Sequence, residues 1–198
     1  MTEEQLRLVV IIGSTRAGRF CPTAAEWFAG QARARTDLKV DMIDLAEAWL
    51  PDVLPADDAT EVPSQVRDLS PWLAKADAFV VVTPEYNHSF PASLKNAIDW
   101  FYAEWQAKPV GYVSYGGIAG GLRAVEHLRQ VFNELHAVSV RTSVTFPNYP
   151  DCFGDDGTPV DTELYEKSAR GMLDELSWWG DALRRQRERR PFRAGAAE

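Results

Sequence analysis

Only two cysteines, Cys21 and Cys152, occur in 198 residues. That is too few for a disulfide scaffold, and they lack the paired spacing of a zinc or redox motif. The histidines His88, His127 and His136 do not fall at the H-x-x-x-H spacing of a helical metal site, so no metal centre is expected. Basic residues are outnumbered, 21 Lys and Arg against 29 Asp and Glu for a formal net charge of −8. This balance argues against a nucleic-acid binder, because neutralising phosphates needs a basic surface. No apolar run approaches the length of a bilayer span, and Glu3 and Glu4 stand where a signal peptide carries positive charge. The expectation is a cytoplasmic protein that meets neither nucleic acid nor membrane.

What the chain does have is enough apolar material, 45% of its residues, to bury the core of a single domain. The run Ala78-Phe-Val-Val-Val82 carries no polar alternation, which suits a parallel strand covered on both faces. Pro84 stops it, because proline offers no amide hydrogen to the ladder and disfavours helical geometry at Thr83. Glu85 to His88 form a turn, Ser89 is placed to cap a helix, and Leu94, Ala97, Ile98, Phe101 and Trp105 recur at helical spacing. The break at Pro84 leaves an exposed loop at the carboxyl end of a central strand, where open α/β sheets bind ligands.

The same grammar repeats along the chain. Leu6 to Ile12 reads as a first buried strand, followed by the polar loop Gly13-Ser-Thr-Arg-Ala-Gly-Arg-Phe-Cys-Pro-Thr23 and a helix opened by Pro22. Lys39 to Leu45 reads as a strand nearer an edge, and Ala46 to Pro63 as a long acidic loop containing Asp57 and Asp58. Val62 to Lys75 is helical with a break at Ser70-Pro71, and Pro109 to Tyr115 is a strand ended by Gly116 and Gly117. Ala119 to Leu135 is a helix with Leu122, Val125, Leu128, Val131, Phe132 and Leu135 inward, and Ala137 to Phe146 is an edge strand. A last helix starts at Asp161 or Thr162 and faces Tyr165, Ala169, Met172, Leu173, Leu176, Trp179 and Leu183 inward. The domain therefore spans 1–183, and the basic tail, 184–198, is expected to fray.

Right-handed crossovers between five such units give a doubly wound parallel sheet in the order 2-1-3-4-5. Its switch point lies between the first and third strands. Three loops then converge there: 13–23, 84–89 and the one opened by Gly116-Gly117. The first is an anion cradle, in which free amides at a helix start are joined by the hydroxyls of Ser14 and Thr15 and the guanidinium groups of Arg16 and Arg19. The plainer alternative is a tight turn whose arginines are only solvated. The loop is neither G-x-G-x-x-G nor a Walker loop, and Trp27 stands where a phosphatase loop built on Cys21 would need arginine. Without a base partner Cys21 reads as a small packing residue. Pro84, Glu85, Tyr86 and Asn87 add a proline-stiffened row of amides, and the two glycines a floor free of side chains. A phosphorylated planar heterocycle fits all three.

Gly13-Ser-Thr-Arg16, together with Thr83-Pro-Glu-Tyr-Asn87 running into Leu94-Lys-Asn-Ala-Ile-Asp-Trp100, resembles the NADPH-dependent FMN reductase family over nearly the whole chain to residue 183. The resemblance implies a flavodoxin-like three-layer α/β/α sandwich that binds FMN non-covalently and assembles as a homodimer or homotetramer. It implies reduction of flavins, quinones, azo compounds or metal oxyanions by NADPH or NADH, in two half-reactions at one place. It also implies that Ser14, Arg16 and Arg19 hold the FMN phosphate and that Pro84, Glu85, Tyr86 and Asn87 lie along the isoalloxazine. Ser114, Tyr115, Gly116 and Gly117 complete the ring site, and no side chain acts as acid, base or nucleophile. Cys21 departs from the serine or glycine of many relatives and removes one phosphate hydroxyl. The rival readings are a flavodoxin-type electron carrier and a flavin-binding regulatory protein, neither with reductase turnover.

Overall fold

In the computed structural model, which describes residues 4–56 and 61–193, five parallel strands form one sheet in the order β2-β1-β3-β4-β5. Glu3, Asp57, Asp58 and residues 194–198 lie outside the described residues. The strands are β1 (Leu6–Ile12), β2 (Leu38–Asp44), β3 (Ala78–Pro84), β4 (Pro109–Tyr115) and β5 (Val138–Phe146). Between and after them run α1 (Cys21–Arg33), α2 (Leu45–Ala48), α3 (Ser64–Ala74), α4 (Ala92–Trp100), α5 (Leu122–Glu134) and α6 (Thr162–Arg189). The flavodoxin-like order expected from the crossovers is the one observed.

The unbroken aliphatic character of the central strands follows from burial on both faces. Because side chains alternate along a strand, Leu8, Val10, Ile12, Val80 and Val82 face the layer of α1 and α6, with Phe28 and Met172. Val9, Ile11, Phe79 and Val81 face the opposite layer, where Leu94, Ile98, Trp105, Leu128 and Phe132 pack. Two hydrophobic cores thus clamp β1 and β3 from both sides. Their carboxyl ends are the ends free to hold loops.

Several local expectations are corrected. Pro71 does not break α3 but sits inside it, solvent-exposed, with its carbonyl still accepting from Lys75 N at 3.2 Å. α4 stops at Trp100 because Phe101 is extended; Phe101 and Trp105 stay buried beyond it, and the Trp105 indole donates to Ile98 O at 3.1 Å. Ser89 does not cap α4, whose N-cap is Pro91; its hydroxyl meets His127 Nδ1 at 3.0 Å. Leu122 is the first residue of α5 and points out at the rim of the sheet, and Trp179 is also exposed. The basic end does not fray at residue 184. α6 continues to Arg189, with Arg184 and Arg187 paired to Asp77 and Arg187 donating to Ala107 O at 2.6 Å. Asp77 in turn accepts from Arg7 N at 3.0 Å, so two of the arginines that read as solvated, Arg184 and Arg187, are tied to the start of the sheet.

Beside this network Lys108 is buried, donating from Nζ to the carbonyls of Leu73 and Ala74, each at 2.8 Å, at the carboxyl end of α3. Burial draws its pKa down from 10.5 to about 7, with Arg187 adding to the fall and Asp77 and Glu104 opposing it. The unfolded chain therefore holds more protons than the folded one between about 7 and 10.5, and stability rises with pH across that window. Urea midpoints are expected to increase from about pH 7 to about pH 9, and the increase to disappear in Lys108→Met. An equal increase in the variant contradicts this assignment.

Candidate functional site

The loop after β1 leaves the sheet at Gly13, whose amide donates to Val82 O of β3 at 2.9 Å. A Cβ at Gly13 would lie 2.9 Å from that carbonyl oxygen and 3.1 Å from Leu94, so the crossing of β1, β3 and α4 requires glycine. Ser14 follows, fully buried; Thr15 and Arg16 are exposed. A turn closes where Arg19 N meets Arg16 O at 3.2 Å, with Gly18 at φ 65°. Helix α1 then starts on Phe20 with no side-chain cap and no acidic residue in its first turn, which leaves the positive end of its dipole without a compensating group.

The second loop reaches this one directly. The hydroxyls of Ser14 and Tyr86 are 2.9 Å apart, so the turn after β3 closes over the base of the loop after β1. Asn87 and His88 both have positive φ, 49° and 68°, while Tyr86 and Ser89 exchange main-chain hydrogen bonds at 2.8 and 3.0 Å. This is the hairpin geometry of a primed two-residue turn, which asparagine favours. Helix α5 pins it at two points one helical turn apart. Arg123 donates from Nη1 and from its amide to the Glu85 carboxylate at 2.7 and 3.2 Å, and His127 meets Ser89.

The third loop joins through main chain. Glu85 N donates to Tyr115 O at 3.0 Å, and a Cβ at Gly116 would lie 3.4 Å from Glu85 Cβ. Gly117 is exposed, with its carbonyl accepting from Gly120 N and Asn148 N at 2.9 and 2.8 Å. Ser114 is buried and donates to Gly120 O at 2.9 Å, so its hydroxyl shapes the loop from below. The Tyr115 ring also turns inward, 5.3 Å from Phe20 and 5.2 Å from Tyr149. Burial raises its pKa, as it raises that of Cys21, whose thiol lies against Val82 O at 3.2 Å. A raised thiol pKa is the opposite of what a nucleophile needs.

All thirteen residues singled out in the sequence therefore gather at the carboxyl ends of β1, β3 and β4, but not all face outward. Cys21, Ser114 and Tyr115 build the floor from within. Arg19 is turned to Asp44 at the end of β2, its Nη2 hydrogen-bonded to that carboxylate. Its Nε is a buried donor with no hydrogen-bond partner. A buried donor of a charged group left unpaired costs about 1–3 kcal/mol, a cost that an acceptor beside it removes. Among the described residues, exposed Arg16, the Cys21 amide at the start of α1 and Arg19, whose carboxylate partner is Asp44, make up the donors of this loop, and their chemistry suits the phosphate of FMN.

Sequence reading missed Asp44, Arg123, Gly120 and Gly121. The glycines left a signal, a second Gly-Gly pair four residues after the first. Asp44 and Arg123 left none, since their partners are distant in the chain. A cleft of about 650 Å³, lined by Ala107, His136, Arg187 and Phe192 among others, lies at the other end of the sheet and contains none of the predicted residues.

The sequence profile of the NADPH-dependent FMN reductases matches residues 6–151. An NAD(P)H-dependent FMN reductase of Schizosaccharomyces pombe is 40% identical over 124 residues, 58% of this chain and 60% of that protein. A quinone reductase of Escherichia coli K12 is 34% identical over 182 residues, 88% of this chain and 91% of that one. Among solved structures, the flavoenzyme NAD(P)H:acceptor oxidoreductase FerB of Paracoccus denitrificans superposes with a TM-score of 0.72 at 24% identity, covering 89% of this chain and 98% of that one. At that identity the likeness speaks for the fold.

Proposed function

The chain belongs to the NADPH-dependent FMN reductase family, and from that premise we propose that it binds FMN where the loops after β1, β3 and β4 meet and reduces small acceptors with NADPH or NADH. The observation that carries this reading is the 2.9 Å Ser14–Tyr86 contact, which brings the polar loop after β1 against the hairpin after β3. Bound FMN supplies the hydride chemistry, accepting from the nicotinamide and giving to the acceptor.

The residues divide that work by position. Arg16, Arg19, the Ser14 and Thr15 hydroxyls and the Cys21 amide at the start of α1 hold the phosphate. Pro84 to Asn87 present main chain to the edge of the isoalloxazine, with the Glu85–Arg123 pair keeping the hairpin in place. Gly116 and Gly117 let a flat ring approach without meeting a side chain. Ile118 and Leu122, both exposed, give the open side an apolar rim suited to a nicotinamide or a quinone. No side chain is needed to move a proton or form a covalent bond. Quinones and free flavins are the acceptors best supported by the relatives' activities, ahead of azo compounds and metal oxyanions. Assembly as a homodimer or homotetramer is part of the same reading; exposed Trp49 and Val53 flank Pro51, whose carbonyl α4 holds through Asn96 and Trp100 at 2.9 and 2.8 Å.

One open face serves both donor and acceptor, so each must leave before the other binds. Initial rates of NADPH oxidation with a benzoquinone, both varied, are expected to give parallel double-reciprocal lines. Intersecting lines contradict the shared face, and absence of turnover with FMN bound contradicts the reductase reading itself.

A further inference from the structure

Resting on the flavin-binding reading above, we infer that Asp44 is a positioning residue for the cofactor phosphate: it holds the Arg19 guanidinium at the loop after β1, in the arrangement that leaves Nε without a partner.

Asp44 ends β2, the strand next to β1, and its two carboxylate oxygens are divided between two tasks. Oδ1 accepts from Ala46 N at 3.0 Å and caps α2, so the carboxylate cannot swing freely. Oδ2 takes Nη2 of Arg19. Both side chains are largely covered, 19% exposed for Arg19 and 15% for Asp44, so solvent screens the pair only partly. A guanidinium is a planar fork, and fixing one arm sets the direction of the others. With Nη2 held by Asp44, the group that remains buried and unsatisfied is Nε. Arg16, by contrast, is exposed. The cradle thus combines one arginine ordered in advance by the neighbouring strand with one that closes on the ligand, and prior ordering lowers the entropy lost on binding.

Simple electrostatics predicts the opposite sign. A carboxylate near an anion site repels the anion, so if Asp44 did no more than neutralise Arg19, its removal would tighten FMN binding. Positioning predicts weaker binding, and only for the flavin that carries a phosphate.

The test is a fluorescence titration of the full chain with FMN and with riboflavin, in the wild type, Asp44→Asn, Arg19→Gln and the double variant. Asparagine retains an oxygen for Ala46 N, so α2 keeps its cap, and a thermal melt of each variant checks that the fold persists. In Asp44→Asn the FMN dissociation constant is expected to rise about 10-fold while that for riboflavin stays within about 2-fold. In the Arg19→Gln background the Asp44 change is expected to add nothing, since its route runs through that arginine. Unchanged or tighter FMN binding, an equal loss for both flavins, or a full additional loss in the double variant overturns the role of Asp44 while leaving a wild type that binds FMN intact. A wild type that binds neither flavin overturns the flavin-binding reading and this inference together.

Discussion

Gly121→Ala is expected to lower stability by about 3 kcal/mol, read as a fall in melting temperature of about 6–12 °C, and to weaken flavin binding with it. Gly121 has φ 92°, a backbone conformation costly for any residue with a Cβ. An alanine Cβ there would also lie 2.6 Å from Ser114 Cβ and 3.0 Å from Tyr115 N. Neither neighbour can yield, because Ser114 and Tyr115 are rungs of β4 paired on one side to Thr83 and Pro84 and on the other to Thr145 and Phe146. The strain would therefore lift the loop that carries Gly116 and Gly117. Gly117→Ala is the control. Its Cβ would meet nothing within 4 Å, so its stability is expected within about 0.5 kcal/mol of the wild type. If both alanines behave alike, the account of the third loop is incorrect.

Arg16→Ala is expected to weaken FMN binding about 10- to 100-fold and to leave riboflavin within about 2-fold, since a charge-assisted hydrogen bond to phosphate is worth about 1.5–3 kcal/mol and riboflavin has no phosphate. The side chain is exposed and no structural contact is lost with it, so thermal stability without flavin is expected to hold. Raising the salt concentration is expected to narrow the gap between wild type and variant, because the interaction sits where ions screen it. Equal losses for FMN and riboflavin would remove Arg16 from the phosphate site. The two substitutions thus separate the loop that meets the phosphate from the loop that floors the ring.

Features that depend on local pattern were legible in the sequence, and those that depend on distant partners were not. The order of the sheet followed from buried aliphatic runs such as Val80 to Val82 and from short right-handed crossovers. The convergence of the loops followed from the switch point of that order, and Ser14 and Tyr86, 72 positions apart, do meet there. Pro71 misled because proline removes one amide hydrogen bond from an exposed helix without ending it when packing on either side, by Val66 and Leu73, holds the rest. The arginines of 184–190 read as a solvated tail because nothing near them in the chain reveals Asp77 as the partner of Arg184 and Arg187. The same limit hid Asp44. An acid at the end of an edge strand looks like ordinary surface until β2 is laid beside β1 and its carboxylate meets Arg19. Side-chain direction was the other loss: Cys21 at the start of α1 and Ser114 and Tyr115 at the end of β4 border the right loops yet are buried, a matter of rotamer and packing that position in the chain leaves open.

The central claim is that a crevice built from three strand ends holds a phosphorylated flavin that a nicotinamide can reduce. It is tested most directly by adding FMN to the full chain, removing the excess by gel filtration and adding NADPH without oxygen. The protein is expected to keep about one FMN per chain, with a yellow absorption band that bleaches on adding NADPH and returns when a quinone is supplied. Protein that emerges colourless, or that retains FMN which NADPH leaves oxidised, would contradict it.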